Sequence, residues 1–159
     1  MQRYSTSYDL VSARAVRLTP MKILVYFVGK PRDEHANALA AEYIKRSNRF
    51  QACEMREVQP ARFDPFSKRA SATLALLDPA GKLLNSQAFT ALVGKAQRDA
   101  RDLIFVLGGS DGLPGAWKSQ ADLLLSLTPM TMPHELARAV LAEQIYRALT
   151  GLRGHPYPR

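Results

Sequence analysis

Cysteine is almost absent from this chain: Cys53 stands alone among 159 residues. No disulfide can form within the chain, and a cysteine-based zinc site is excluded. A lone thiol also fits a reducing compartment. Histidine is nearly as scarce. His35, His134 and His155 are scattered without paired-ligand spacing, so no metal site is expected. No apolar run approaches the roughly 20 residues that a membrane helix needs, so nothing is expected to span a bilayer.

Acids are also in short supply. Lys and Arg number 22 against 14 Asp and Glu, which leaves +8 at neutral pH. A basic surface favours a polyanionic partner, RNA or DNA, although it can also be an inert surface. With 47% apolar and 23% charged residues the composition is that of a globular protein, not a disordered or fibrous one. The length suits one domain that buries about two thirds of its unfolded surface.

Residues 1–20 differ from the rest. They carry Arg3, Arg14 and Arg17 against Asp9 alone, with several Ser and Thr and no apolar core of a secretory signal. Such a stretch can mimic an organelle transit peptide. The reading preferred here is a disordered N-terminal extension over 1–20, with a single folded domain over 21–159. Removing the extension lowers the positive excess by only two, so the basic character belongs to the domain.

From Met21 onward, strand and helix signals alternate. Ile23 to Val28 is a continuous apolar, β-branched and aromatic run, as in a strand buried on both faces. Asp33 can cap a helix that runs to Ser47, with Leu39, Tyr43 and Ile44 on one face. Gln51 to Val58 predicts a second strand. Residues 59–71 predict a loop, and Thr73 to Leu77 a third strand stopped by Asp78-Pro79-Ala80-Gly81. Ser86 can cap a helix carrying Phe89, Leu92, Val93 and Ala96. Leu103 to Leu107 is the clearest strand, and Leu123 to Leu125 a short fifth. A last helix runs from His134 to Leu149, with an apolar stripe of Leu136, Val140, Leu141, Ile145 and Leu149 and with Gly151 as its stop. This alternation predicts an α/β fold with a mainly parallel sheet, whose ligands bind beyond the carboxyl ends of the strands.

Two loops fall at those ends. Gly108-Gly109-Ser110-Asp111-Gly112 supplies backbone freedom and N–H groups for an anion or polar ligand, or is plain turn chemistry. Ser-His-Asp hydrolysis is not expected. Ser126 to His134 holds Pro129 and Pro133 and is apolar for a connection. Its side chains and free amides can hold an adenine ring and a thioether chain, or the loop is tucked under a helix. His134 is either a helix-start packing residue or a functional group, with Arg138 one turn on. Arg147 and the tail His155-Pro156-Tyr157-Pro158-Arg159 can meet phosphate and stack on a base, or be solvated surface.

Taken in order, Leu107 to Leu113, Leu125 to His134, Arg138, Glu143 to Ala148 and His155-Pro156-Tyr157 resemble the RlmH family, the large-subunit rRNA methyltransferases of the SPOUT class. Met21-Lys22-Ile23, Val28-Gly29-Lys30 and Leu77-Asp78 followed by Gly81-Lys82 extend the resemblance over most of 21–159. It implies a deep C-terminal trefoil knot within about 103–151, contrary to the usual rule that chains do not thread loops. It implies a cytoplasmic homodimer that takes S-adenosylmethionine as donor, with no metal, and methylates N3 of a pseudouridine in 23S rRNA on the assembled ribosome. Leu77, Gly108, Leu127, Thr128, Pro129, Met130, Thr131 and Met132 match the cofactor-contacting positions. His134, Arg138 and Tyr157 are the expected catalytic set, and Arg147, His155 and Arg159 the expected RNA contacts. DNA and membrane are not expected as partners. Two alternatives stay open: a SPOUT methyltransferase for another RNA nucleotide, and a catalytically silent basic RNA-binding dimer. The connection over 59–71 is shorter than in relatives of the family, and Pro158 stands where they carry His.

Overall fold

The computed structural model describes residues 20–157. Within them lie β1 (Lys22–Val28), α1 (Glu34–Ser47), β2 (Ala52–Val58), a 3₁₀ turn (Pro60–Arg62), β3 (Ala72–Leu83), α2 (Ser86–Arg98), β4 (Asp102–Leu107), α3 (Gly115–Lys118), β5 (Leu123–Ser126) and α4 (His134–Leu152). Apart from Pro20, the extension expected over 1–20 lies outside the described residues, as does Arg159.

Every strand pairing is parallel, and the strand order is β2-β1-β4-β3-β5. The α/β fold with a parallel sheet is therefore as expected. Alternation along the strands feeds two cores. Ile23, Val25, Phe27, Leu103, Phe105 and Leu107 point to one face, where α1, α2 and α4 pack with Ile44, Phe89, Leu141, Ile145 and Leu149. Full burial of each such side chain contributes roughly 1.5–3 kcal/mol. Leu24, Leu74, Leu76, Ile104 and Val106 point to the other face.

Among the described residues, that second face has no long helix. To travel from β2 to β3 the chain must cross β1 and β4, about 14 Å at normal strand spacing. Residues 59–71 make this crossing, and Phe63 and Phe66 cover the sheet on the way. Phe63 packs on Tyr26 and Trp117, with ring centroids 4.7 and 6.2 Å apart. Leu113 and Trp117, on the β4–β5 connection, complete this layer. That connection also passes over one face while α4 returns on the other, against both α1 and α2.

Several boundaries differ from expectation. Asp78-Pro79-Ala80-Gly81 does not end β3. It bulges, and β3 resumes pairing with β5 at Lys82 and Leu83. Asp78 accepts from the Ala80 N–H at 2.8 Å, which folds the bulge locally. A Cβ on Gly81 would lie 2.7 Å from the Leu124 carbonyl carbon, so only glycine lets the two backbones approach. Asn85, not Ser86, caps α2, its side chain accepting from the Ala88 N–H at 2.8 Å; Ser86 Oγ donates to Gln144 at 2.8 Å instead. α4 runs through Gly151 to Leu152, and Gly154 takes the left-handed position (φ 67°) after the end. The His155 N–H then reaches back to the Thr150 carbonyl at 2.9 Å. Leu39 and Leu136, expected on apolar faces, are largely exposed; Ala36, Ala40 and Ile44 carry the buried side of α1.

Candidate active site

The carboxyl edge of the sheet carries two adjacent clefts. The first, of about 190 Å³, lies between the end of β3 and the stretch that follows β5. Leu77, Asp78 and Pro79 form one wall; Leu125 to Met132 form the other, with Ala137 of α4 behind. From Leu127 to Pro133 the backbone is irregular. Two side chains shape it: Ser126 Oγ donates to the Thr128 carbonyl at 3.0 Å, and Thr128 Oγ1 accepts from the Met130 N–H at 3.1 Å. Leu77, Leu127 and Met132 are half-buried, while Met130 is 76% exposed at the rim. Asp78 closes one end. Lys118 pairs with it at 2.6 Å and, together with the Ala80 N–H, holds its carboxyl below the usual carboxylate range. An apolar slot with irregular backbone along one side suits a flat ring whose faces are apolar and whose edge carries donors and acceptors. That chemistry fits an adenosyl group joined to a thioether chain.

The second cleft, of about 340 Å³, joins three segments: Val28 to Arg32 after β1, Gly109 to Gly112 after β4, and His134 with Glu135 at the start of α4. A Cβ on Gly108 would sit 2.7 Å from the carbonyl carbon of Gly112, so this loop closes tightly on itself. Gly109 and Gly112 face each other in a bridge, their backbones joined by a 3.0 Å hydrogen bond. Glu135 is the anchor of the cleft. Its carboxylate accepts from the backbone N–H groups of Arg32 (2.6 Å) and Asp33 (3.1 Å) and from Asn37 Nδ2 (2.9 Å). The Arg32 amide first, then Asn37, lower its pKa to about 2.

Behind Glu135 stands Arg138, fully buried. Its guanidinium lies 3.9 Å over the Phe27 ring, donates to Asn37 Oδ1 at 2.9 Å and stands 3.8 Å from Glu135. Nε and Nη2 have no hydrogen-bond partner among the described residues. Burial lowers its pKa and Glu135 partly offsets that effect.

Residues 21–158 match the family described as predicted SPOUT methyltransferase. A ribosomal RNA large subunit methyltransferase H from Solibacter usitatus is 55% identical over 139 residues, covering 87% of this chain and 100% of that one. Its counterpart in Sorangium cellulosum is 43% identical over 143 residues, covering 86% and 99%. The chain belongs to the SPOUT methyltransferase family. Within it, the chain groups with the large subunit methyltransferase H proteins. Among solved structures, a probable methyltransferase from Bordetella pertussis shares the fold with a TM-score of 0.56 at 16% identity, covering 82% of this chain and 97% of that one. The SpoU methyltransferase AviRb from Streptomyces viridochromogenes, solved with AdoMet, gives 0.50 at 11%, covering 86% and 61%.

Seen in this SPOUT chain, the expected donor residues divide. Leu77 and Leu127 to Met132 converge on the first cleft, whereas Gly108 lines neither cleft. Of the expected catalytic set, His134 lines the second cleft. Arg138 lies in the interior, its guanidinium over Phe27 and bonded to Asn37, and it lines neither cleft. Tyr157 follows the end of α4 and packs back on Tyr146, about three turns from His134. Its ring meets Tyr146 at 4.5 Å, and its hydroxyl is 2.9 Å from Glu143 and 3.2 Å from the Tyr43 hydroxyl. Burial raises its pKa, so it stays a neutral phenol. Arg147 donates to Glu143 at 2.6 Å and lies over the Tyr157 ring at 5.4 Å. His155 is exposed and edge-on to Phe50 at 5.8 Å. One chain therefore does not bring Tyr157, Arg147 or His155 to His134.

The sequence reading missed Asn37, Glu135 and Gly81. Glu135 follows His134 in the first turn of a helix, an ordinary place for an acid, and only the fold shows what it holds. Gly108-Gly109-Ser110-Asp111-Gly112 also has the spacing G-x-S-x-G of a hydrolase elbow, which the sequence reading overlooked. No helix follows the serine directly, and no hydrogen bond joins Ser110 to His134 among the described residues. Cys53 is buried, which pushes its thiol up to about 12 and leaves it inert.

Proposed function

We propose that this chain is a homodimeric, cytoplasmic enzyme that uses S-adenosylmethionine to methylate N3 of a pseudouridine in 23S rRNA, acting on the assembled ribosome. One observation carries the reading: Leu77 and the six consecutive residues Leu127 to Met132 form a single apolar cleft at the carboxyl edge of a parallel sheet. Relatives with up to 55% identity, named as large subunit rRNA methyltransferases, support the substrate class. In this reading, residues 103–151 tie the trefoil knot that holds the slot in shape.

When bound, the donor supplies an electrophilic methyl group on a sulfonium. Leu77, Leu127, Pro129 and Met132 cover the ring and exclude water, and the backbone from Thr128 to Met132 fixes its edge. Gly108 serves through the tight loop it allows. Imide N3 of pseudouridine must lose its proton to attack, and the His134 imidazole accepts that proton. Arg138 acts as a positioning residue: its charge holds Glu135, which holds the Lys30-Pro31-Arg32 turn beside His134. Leu136 and Val140, one turn apart on the outer side of α4, and exposed Met130 offer an apolar face to a second copy. The dimer then presents Tyr157, Arg147, His155 and Arg159 of each subunit to RNA at its twin's site. Doubling the chain's charge steers it to rRNA, and binding weakens with salt.

Calorimetry with S-adenosylmethionine tests the slot. Binding heat is expected, and its absence would leave only a silent RNA-binding module. Mass spectrometry of rRNA from a deletion strain tests the target: one 23S pseudouridine should lose its methyl group. An unchanged modification profile would refute the substrate.

A further inference from the structure

The second cleft is left with two cations that nothing among the described residues uses. Lys30 and Arg32 line it and are exposed, and neither side chain has an ion pair or hydrogen bond among the described residues. Of the two acids in the wall, Glu135 is already spent and only Asp111 remains unpaired among the described residues. Glu135 has its oxygens taken by two backbone N–H groups and Asn37, with Arg138 at 3.8 Å behind it. Asp111 is exposed on the facing loop and makes no ion pair. The cleft itself is stiffly built. Gly109 lies so close to the end of β1 that a Cβ on it would stand 3.3 Å from the Val28 carbonyl oxygen. Glu135 ties the turn bearing Arg32 to α4. Both cations thus stand on a fixed turn in the cleft that His134 also lines.

We propose that this cleft binds a backbone phosphate of the RNA adjacent to the target nucleotide, with Lys30 and Arg32 as its ligands. The inference rests on the RNA-methyltransferase reading above and adds the subsite that sets the nucleotide against His134. Arg can grip a phosphate through two N–H groups, and Lys adds a point charge. Neither contact reads sequence; both set register and orientation.

The test uses the full chain with Lys30→Ala and Arg32→Ala combined. Both side chains are exposed, and the Arg32 backbone N–H to Glu135 is retained, so the fold is kept. The probe is large ribosomal subunits from a strain lacking this gene, titrated at several salt concentrations. Affinity should fall on the order of tenfold, and the slope of log affinity against log salt should shrink by about 1–2. S-adenosylmethionine affinity should stay the same. Arg98→Ala, at the C-terminal end of α2 and the opposite edge of the sheet, controls for general charge and should change both quantities less. Equal effects from Arg98→Ala, or no change in affinity and slope, overturn the proposal. A matching loss of S-adenosylmethionine affinity also overturns it, since the cleft would then hold the donor's carboxylate. If wild-type protein methylates nothing yet binds subunits with the Lys30- and Arg32-dependent slope, the phosphate subsite stands and the enzymatic reading falls.

Discussion

The apolar cleft is walled by one unbroken stretch, Leu125 to Met132, set against the end of β3, whereas the polar cleft beside His134 is assembled from three separate segments. Packing and close backbone approach hold the first. Hydrogen bonds and a buried charge network hold the second. The first should therefore respond to changes of volume, and the second to changes of charge.

The largest effect should come from Gly81→Val. The added carbons must push against the Leu124 backbone, 2.7 Å from the first of them, and no flexible side chain can yield there. We expect a loss of about 3 kcal/mol in urea unfolding, with loss of S-adenosylmethionine binding in the protein that remains folded. Affinity for ribosomal subunits, which we have proposed rests on the other cleft, should hold. A variant as stable as wild type would show that β3 and β5 can separate freely.

Next in size is Arg138, where volume and charge can be separated. Arg138→Ala opens a void beside Phe27 and should cost about 2–3 kcal/mol. Arg138→Met refills the void but leaves Asn37 Oδ1 and Glu135 without their buried cation, so it should still cost about 2 kcal/mol. If Arg138→Met costs almost nothing, packing and not charge fixes this wall. Its partner Glu135 carries the acid response. Its folded pKa of about 2 lies below its ordinary 4.5, so it adds stability that is complete above about pH 4.5 and disappears as pH falls toward 2. In Glu135→Gln the urea midpoint should fall less steeply over that interval than in wild type. Parallel slopes would remove Glu135 from the account.

The same contrast explains what could be read in advance. Asp33 was legible as a cap, and it accepts from Ala36 at 3.0 Å, because the capping signal is local. β4 was legible because it is buried on both faces and carries an uninterrupted apolar run. The apolar cleft was legible because its wall is contiguous and the family resemblance falls on it. The polar cleft was not, since Lys30, Gly109 and Glu135 meet only once strand order is known. Arg138 was expected to reach the substrate as part of the catalytic set, because an arginine on a helix is usually exposed. Its burial depends on Phe27 and Asn37, more than 100 positions away in sequence. Gly81 was read as a turn because Asp-Pro-Ala-Gly is turn chemistry, and only the partner strand makes it a bulge.

Met132→Ala probes the apolar wall at smaller scale. Losing a half-buried thioether from the slot should weaken S-adenosylmethionine about tenfold, worth about 1.4 kcal/mol, with subunit affinity unchanged. A drop in subunit affinity instead would mean that the two clefts exchange roles.

Tyr157→Phe should have the smallest effect and bears on where the tail works. Within one chain the hydroxyl contributes to Glu143 and Tyr43 only, and the ring still packs on Tyr146 after the change. The expected stability loss is about 1 kcal/mol, that of one partly buried hydrogen bond. Glu143 keeps Arg147 at 2.6 Å, so its charge is not stranded. If the tail also serves the twin subunit's RNA site, turnover on ribosomal subunits should fall by more than the stability change accounts for. Mixed dimers then locate the defect. A dimer with Tyr157→Phe in one chain and the donor-blind lesion in the other should then keep its turnover, whereas both lesions in one chain beside a wild-type twin should lower it. Equal activity in both arrangements would confine Tyr157 to the latch on its own α4.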